Sequence, residues 1–293
     1  MLADADIRGA AFCRAHSDLA DRWLTDLLGD EDGVALVAVG GYGRRELCPA
    51  SDLDVVLVHD RRRDVKALAE RIWYPIWDAG VGLDHSVRTV KEALRVASED
   101  LKASLGLLDG RLVAGRRDLA DDLIGRNRDQ WRKRWQRWTE ALGRMVAERH
   151  AEFGEVAFLL EPELKEGRGG IRDFHALKAA ARATPVVEAD HPALAEAYEG
   201  LVDVRTELHR RVGKPLDRLL LQEQDAVATG LGYADADALM AAVATAARTI
   251  AWWSDDGWRR VASARAGPRG RAATRDHAIA PDLLLREDEV VLA

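Results

Sequence analysis

Two short apolar runs in the first quarter of the chain limit its possible folds most. Val34–Val39 and Leu53–Val58 are rich in valine, which predicts two buried β-strands. A glycine-containing loop over Gly40–Ser51 joins them. From Lys91 onward, apolar residues recur almost wholly at helical spacing. The pattern predicts an α+β chain, in which a small unit of mixed sheet and helices is followed by an all-helical region.

Further elements are predicted on both sides of the two strands. Residues 7–29 and 61–79 carry apolar side chains at helical spacing, and Leu83–Thr89 is a candidate third strand. The predicted later helical segments are 143–160, 174–184, 192–212, 216–231 and 235–262.

A chain of 293 residues is long enough for two domains. We expect one domain over residues 1–115 and a helical domain over residues 116–262. Residues 263–281 are rich in Gly, Ala, Arg and Pro and predict a linker. The last residues carry two short apolar runs around a charged turn, so we interpret 263–293 as a linker and the start of a further region.

The charge and cysteine content exclude several classes of protein. The chain is 47% hydrophobic and 32% charged, which is typical of a globular protein, and its net charge of −7 argues against wholesale nucleic-acid binding. Two cysteines are too few for a disulfide framework. The N-terminus MLADADIRGA has no signal-peptide pattern, and no apolar stretch is long enough for a membrane span. We therefore expect a soluble cytoplasmic protein without a membrane or nucleic-acid partner.

Two acids begin the second predicted strand. Asp52 and Asp54 lie two residues apart, so both carboxylates lie on one face of the strand, beside an otherwise apolar sequence. Their mutual repulsion and desolvation are relieved by a cation, and such a pair suits Mg²⁺ with water and phosphate oxygens. Two such ions can activate an attacking oxygen and stabilise a leaving pyrophosphate.

The loop before these acids has the composition of a phosphate site. Gly40 and Gly41 follow the first strand, where glycines let backbone N–H groups approach a phosphate. Arg44 and Arg45 lie in the same loop and could meet phosphate charge. A glycine-rich turn before a solvated edge strand is the simpler alternative. The succession of strand, Gly-Gly, loop and Asp-x-Asp favours a phosphate and metal site over this alternative.

These residues carry a family resemblance. GGYGRREL and SDLDVVL resemble the signature of nucleotidyltransferases with the polymerase-β-type fold, and the Arg-Arg-Glu-Leu continuation narrows the resemblance to the bacterial PII uridylyltransferases. Four further segments resemble that family: DHSVRT (84–89), LLDGRLVAG (107–115, as a helix end), LKEGRGGIRDFHAL (164–177) and LDRLLLQEQDAVATGLGY (216–233).

The resemblance implies an activity and roles for the residues of the loop. It implies transfer of UMP, or of AMP as in some relatives, from UTP or ATP to a tyrosine of the signalling protein PII, with release of pyrophosphate. Residues 1–115 would then form the nucleotidyltransferase domain. Gly40 and Gly41 would hold the triphosphate, with Ser51 among the nucleotide-binding residues, and Asp52 and Asp54 would bind the metal ions.

The resemblance also implies a third carboxylate on a neighbouring strand, where it would activate the acceptor hydroxyl. Asp84 is the candidate, because it begins the predicted third strand; the alternative is a surface acid that caps a turn. Asp100 is a rival, although a helix N-cap would explain it equally well.

The helical region contains a second dense polar block. Lys165 and Arg172, together with Gly169, Gly170 and Asp173, could contact phosphate or base, or could form a tight turn with an Arg–Asp pair between helices. His85 and His175 fit polar packing better than catalysis. The basic run 126–137 carries Trp131, Trp135 and Trp138 on one helical face, which predicts a core stripe with a solvated basic face.

Two other functions remain open. The chemistry could serve another protein or a small-molecule acceptor, or the chain could be a catalytically idle nucleotide-sensing module. The resemblance also implies an HD-type hydrolase domain and two ACT domains in full-length members. The sequence shows no HD-type metal cluster, and its one His-Asp dipeptide, His59–Asp60, directly follows the second predicted strand. We therefore expect this chain to transfer nucleotide without removing it.

Overall fold

A four-stranded mixed sheet forms the centre of the first part of the molecule. The computed structural model describes residues 7–273, 277–280, 283–286 and 289–292. The strands are β1 (Val34–Ala38), β2 (Leu53–His59), β3 (Leu83–Arg88) and β4 (Arg111–Gly115), in the spatial order β3-β2-β1-β4. β1 is antiparallel to β2 and β4, whereas β2 and β3 are parallel. The predicted α+β class and mixed sheet are confirmed.

Helices cover both faces of this sheet. They are α1 (Gly9–Leu28), α2 (Gly40–Gly43), α3 (Val65–Asp78), α4 (Val90–Glu99), α5 (Leu101–Leu108) and α6 (Arg117–Lys133). All five residues of β1 are buried, since apolar layers lie on both of its faces. Leu53, Val55 and Leu57 of β2 pack with α1 and α3, whereas Val56 and Val58 pack on the side of α4 to α6. Asp54 therefore lies on the α4–α5 side.

Strand β4 was not predicted. The sequence from Lys91 was expected to be helical, and residues 107–115 were expected to be a helix end; instead α5 ends at Leu108 and β4 pairs with β1. Gly115, with φ of 88°, lets the two backbones approach, because a Cβ there would lie 2.4 Å from the carbonyl oxygen of Val34. The run has only five residues, which is too short to show a helical or a strand period.

The second part of the chain is helical. It comprises α7 (Trp135–Phe153), a 3₁₀ turn (Val156–Phe158), α8 (Ile171–Ala183), α9 (Pro192–Val212), α10 (Leu221–Leu231) and α11 (Ala236–Ala273). The predicted helix 143–160 is wrong beyond Phe153, because Gly154 has a positive φ of 70° and ends α7. Residues 216–220 likewise precede α10. Trp131 and Trp138 are buried and stacked at 5.3 Å, which confirms their core-facing stripe.

The end of the chain differs from the predicted linker. Residues 263–273 continue α11, with a break at Gly267, where φ is 67°. Three short antiparallel strands follow, β5 (His277–Ala280), β6 (Leu283–Arg286) and β7 (Glu289–Leu292), the last two from the apolar runs around the charged turn. Residues 274–276 and 281 of the predicted linker lie outside the described residues. No described helix has the length and apolar character needed to cross a bilayer.

Helix α1 packs with both parts of the molecule. Leu24 and Leu28 belong to the apolar core beneath the sheet, whereas Cys13 belongs to the core of the helical region. The thiol of Cys13 lies 3.5 Å from the hydroxyl of Thr206 on α9. Helix α1 therefore contributes to the apolar cores of both the sheet part and the helical part. The division into domains at residue 115 stays a prediction.

Candidate active site

One large cavity lies where the sheet meets the helical region. Its volume is about 1280 Å³, and residues from both parts of the chain line it. The predicted site residues that line it are Gly40, Gly41, Arg44, Ser51, Asp52, Asp54, Asp84, Lys165 and Arg172, and the rival acid Asp100 lines it as well. The cavity therefore brings together all of the predicted site residues except Arg45.

Three carboxylates lie at the sheet edge of this cavity. Asp54 and Asp84 are paired residues of the parallel strands β2 and β3, so their side chains lie on one face. Asp52 lies against Gly82, where a Cβ would stand only 1.8 Å from Asp52 Oδ1. The N–H of Leu53 donates to the carbonyl of Gly82 at 2.8 Å and holds the two strand starts together.

The pKa of Asp54 reflects its burial and the two acids beside it. Burial, followed by the charges of Asp84 and Asp52, raises the pKa of Asp54 to about 6. Arg172 and Arg44 oppose this rise but do not cancel it. A bound cation would relieve the repulsion among the three acids.

The donor set suits a hard cation that keeps part of its own shell. Within the described residues, no group of three or more His, Cys, Asp or Glu side chains lies close enough together to hold a metal ion by itself. Mg²⁺ needs no such cage, since it takes one or two carboxylates and completes its octahedron with water and phosphate oxygens. Asp52 and Asp54 therefore fit the predicted ion.

The Gly-Gly turn lies directly above Asp54. Gly40 has a positive φ of 55°, and a Cβ there would lie 3.1 Å from Asp54 Oδ2. The N–H of Val39 donates to the carbonyl of Asp54 at 3.0 Å and ties the turn to β2. The N–H groups of Gly40 and Gly41 donate to no acceptor in the part of the chain that the structure describes. The turn therefore offers unused donors beside the acids.

Arg44 is held beside the same turn by two acids. Its Nε lies 2.6 Å from Glu46, and its Nη1 lies 2.6 Å from Asp109. Burial alone would lower the pKa of Arg44, but Glu46 and Asp109 outweigh burial and raise it, so the guanidinium stays charged. Its Nη2 makes no hydrogen bond among the described residues, and it lies 3.9 Å from the position of a Cβ on Gly41. This nitrogen is placed to meet an anion.

Arg45 does not share this position. Its side chain pairs with Asp18 and lies 3.7 Å from Asp21, both on α1, and it does not line the cavity. The backbone at Arg45 has a φ of 62°, which turns the side chain away from that of Arg44. Arg45 thus lies away from the cavity in this structure, and its role as a nucleotide contact stays a prediction.

The helical region contributes two cations across the cavity. Lys165 Nζ lies 3.5 Å from Asp217, and its loop is held by Glu163, which accepts from the N–H groups of Lys165 and Gly167 at 3.0 and 3.2 Å. The Arg172 side chain is 49% exposed, and its Nε lies 3.3 Å from Oε1 of Glu166. Arg172 lines the cavity, and its charge opposes the rise in the pKa of Asp54.

The rest of that block holds the backbone in place. Asp173 is fully buried and accepts hydrogen bonds from Arg149, from His150 at 2.9 Å and from the N–H of Gly169 at 2.8 Å. Gly169 has a φ of 79°, and a Cβ there would lie 2.3 Å from the carbonyl oxygen of Ala247. The anticipated Arg–Asp pair exists, but Arg149 supplies the arginine, which leaves Arg172 exposed to the cavity.

Asp100 has a structural role. Its carboxylate accepts from the N–H of Ala103 at 3.0 Å and so caps α5. It lines the cavity but lies at the α4–α5 junction, whereas Asp84 is the direct strand neighbour of Asp54. The geometry favours Asp84 as the third carboxylate.

A buried polar cluster around Glu46 was missed by the sequence analysis. Glu46 accepts hydrogen bonds from Tyr198 and lies 3.2 Å from His175 Nε2. Burial would raise the pKa of Glu46, but His175 and Arg44 overcome it and lower that pKa to about 2. His175 thus packs against polar partners, as expected. The only sequence signal for Glu46 is that it lies two residues after Arg44 in the same loop. Its partner Tyr198 lies 152 residues further along the chain, so the sequence does not reveal the pair.

Comparison with known proteins places this arrangement in a family. The family model described as GlnD PII-uridylyltransferase matches residues 132–189 and 176–256. A bifunctional uridylyltransferase/uridylyl-removing enzyme of Streptomyces coelicolor is 50% identical over 254 residues, which are 85% of this chain and 30% of that protein.

The chain belongs to the PII-uridylyltransferase family. Further relatives carry the same name: that of Mycobacterium tuberculosis is 44% identical over 84% of this chain and 32% of its own length, and that of Corynebacterium glutamicum is 38% identical over 77% and 31%. The chain thus spans about a third of the length of these PII-uridylyltransferase relatives. The resemblance stated from the sequence motifs is confirmed, and so is membership of a family of nucleotidyltransferases.

Proposed function

We propose that this chain transfers a nucleoside monophosphate from a nucleoside triphosphate to a tyrosine of PII, with release of pyrophosphate. The names of the relatives favour UMP, and AMP remains the alternative. The observation that carries the proposal is that three carboxylates share one cavity with a Gly-Gly turn, which lies directly above Asp54. We place the activity in the cytoplasm.

The triphosphate would lie between the two parts of the chain. The unused N–H groups of Gly40 and Gly41 and Nη2 of Arg44 would donate to its oxygens from the sheet side. Lys165 and Arg172 would face it from the helical side, and Ser51 would contact it at the cavity wall. These donors orient the α-phosphorus toward the acids and offset the charge of the triphosphate.

Asp52 and Asp54 would hold two Mg²⁺ ions together with the phosphate oxygens. When bound, the ions would neutralise the negative charge that develops on the phosphoryl and pyrophosphate oxygens. Asp54 must lose its proton to serve as a ligand, and its raised pKa makes that step sensitive to pH near 6.

Asp84 would act on the acceptor. It is exposed at the sheet edge beside Asp54, so a tyrosine hydroxyl can reach it from solvent. The tyrosine oxygen forms a bond to the α-phosphorus, the bond from that phosphorus to the pyrophosphate oxygen breaks, and the hydroxyl proton passes to Asp84. The pyrophosphate leaves with the electron pair of the broken bond.

The test is labelling of PII. Wild-type chain is incubated with PII, Mg²⁺ and α-labelled UTP or ATP, beside Asp52→Asn and Asp54→Asn. Asp60→Asn is a matched control, because Asp60 is exposed just past the opposite end of β2. We expect label on PII with the wild type and the control, and loss of about 100-fold or more with either variant.

Other outcomes would select the other functions. Label on another acceptor but not on PII would indicate a different protein or small-molecule substrate. Binding of the triphosphate with no transfer to any acceptor would indicate a nucleotide-sensing module. Either result overturns the proposed PII activity.

A further inference from the structure

Strand β3 lies at an open edge of the sheet beside the carboxylates. It pairs with β2 on one side, and no described strand pairs with its other side. Because successive side chains of a strand alternate between its two faces, Ser86 and Arg88 share the face of Asp84. An unpaired edge carries a row of backbone donors and acceptors that can bind another extended chain.

A groove runs along this edge. Its volume is about 470 Å³, and it is lined by His85, Ser86, Val87, Arg88, Glu92 and Arg95. His85, Ser86 and Arg88 also line the large cavity, so the groove continues from the place where Asp84 lies. A segment that follows the groove would thus lead directly to the proposed acceptor position.

The α4 side of the groove is basic. Arg88 and Arg95 make no salt bridge within 4 Å and no side-chain hydrogen bond among the described residues. The acid of the groove, Glu92, is engaged by the N–H and hydroxyl of Thr89 at 2.9 and 2.8 Å as the capping box of α4. The two guanidinium groups are therefore available to carboxylates of a partner.

The opposite side of the edge is aromatic. His85 faces α3, where its ring centroid lies 5.2 Å from that of Trp73 and 5.5 Å from that of Trp77. Tyr74 packs edge-on against Trp77, and these two side chains are 55% and 44% exposed. A strand added beside β3 would thus meet cations on one face and aromatic rings on the other.

We propose that the edge of β3 binds an extended segment of the acceptor protein as an additional strand. Successive side chains of a strand alternate between faces, so the segment would place acidic residues toward Arg88 and Arg95 and apolar residues against Trp77 and Tyr74. A tyrosine at the cavity end of the segment would then lie at Asp84. This inference rests on the proposed transfer to a protein tyrosine, and it adds how that protein is recognised.

The first test is a charge reversal that avoids the catalytic cavity. Arg95 lines the groove but not the large cavity, so Arg95→Glu separates acceptor binding from nucleotide binding. We expect the KM for PII to rise several-fold, and at least tenfold in the Arg88→Glu/Arg95→Glu double variant. The KM of Arg95→Glu for the nucleotide should not change. Arg95→Lys should restore most of the affinity for PII, and Lys133→Glu, on exposed α6 surface, is the matched control.

The second test measures whether the backbone N–H groups of β3 become hydrogen-bonded when PII binds. Amide hydrogen exchange is measured over residues 83–88 with and without PII and a non-hydrolysable nucleotide analogue. Strand addition predicts new protection there when PII binds. Protection that depends on the concentration of this chain alone would show pairing between two copies and would overturn the proposal.

The outcomes distinguish this inference from the proposed function. If the wild type labels PII but Arg95→Glu and the double variant keep the wild-type KM for PII, the edge is not the docking surface and the transferase function stands. If the wild type labels no PII at all, the proposed function fails first. Side-chain effects on KM without protection of 83–88 would overturn strand addition.

Discussion

Asp54 and Asp84 are direct neighbours across the parallel strand pair β2–β3, although thirty residues separate them in the sequence. With Asp52 they place three negative charges at one end of the sheet, and the pKa of Asp54 rises to about 6 as a result of burial and of these charges. The fold thus keeps an arrangement that opposes its own stability, which is typical of a site that serves a ligand.

Replacement of Asp54 by Asn should stabilise the metal-free protein at neutral pH. The folded pKa of about 6 exceeds the unfolded value of 3.8, so the contribution of Asp54 to stability falls as the pH rises from about 4 through 6. Because the group is only partly buried, we expect about 1 kcal/mol, or about 2 to 4 °C in Tm. Thermal melts at pH 7.5 and pH 4 with EDTA measure this.

The wild type and Asp54→Asn together also test whether Asp54 binds Mg²⁺. Addition of Mg²⁺ should raise the Tm of the wild type at pH 7.5 and leave Asp54→Asn nearly unchanged. A Tm of Asp54→Asn at or below that of the wild type in EDTA would contradict the assigned repulsion.

Replacement of Gly82 by Ala should impair transfer without unfolding the chain. The added Cβ would stand 1.8 Å from Asp52 Oδ1 and must displace that carboxylate, whereas Gly82 itself is exposed. Displacement by about 1 Å at a catalytic group costs about 100-fold in rate. The measurement is kcat with PII. Gly125→Ala is the control, since nothing lies within 4 Å of its Cβ position, and it should keep full activity.

Replacement of Glu46 by Gln should destabilise the protein above about pH 5. The pKa of Glu46 is lowered from 4.5 to about 2, so its contribution is present above pH 4.5 and is lost as the pH falls toward 2. Loss of the charge leaves Arg44 and His175 with one fewer partner, at a cost of about 3 kcal/mol for a buried pair. Denaturant unfolding at pH 7 measures the loss, which should shrink toward pH 3. Equal stability of both proteins at pH 7 would refute this role.

Arg172 and Arg45 should behave differently although both were predicted to bind nucleotide. Arg172 lines the cavity and its charge lowers the pKa of Asp54, so Arg172→Ala should raise the KM for the nucleotide about tenfold to a hundredfold. Arg45 pairs with α1 outside the cavity, so Arg45→Ala should leave that KM unchanged. Initial rates over a range of nucleotide concentrations separate the two, and a similar rise in both variants would contradict the geometry.

The parts of the fold that the sequence predicted well are those with a strong local signal. Valine-rich runs marked β1 and β2, and Asp-x-Asp marked the face of β2 that lines the cavity. Strand β4 has too few residues to show a two-residue alternation of apolar side chains. It forms because its backbone pairs with the free edge of β1. Local sequence carries no such information.

Side-chain direction within the loop was equally beyond the sequence. Arg44 and Arg45 are adjacent and chemically identical, and a φ of 62° at Arg45 sends the two guanidinium groups to opposite neighbours. The bond from Tyr198 to Glu46 joins residues 152 positions apart, which only the packing of α8 and α9 against the loop determines.

The shared position of α1 has a consequence for synthesis. Its N-terminal half completes the core around α9, and Cys13 meets Thr206 only after 193 further residues have been made. A nascent chain that has released only the sheet would leave that half of α1 without its apolar cover. The sheet part of the chain should therefore mature late on the ribosome, together with α9, and a gene fragment that stops at codon 115 should yield an aggregation-prone product.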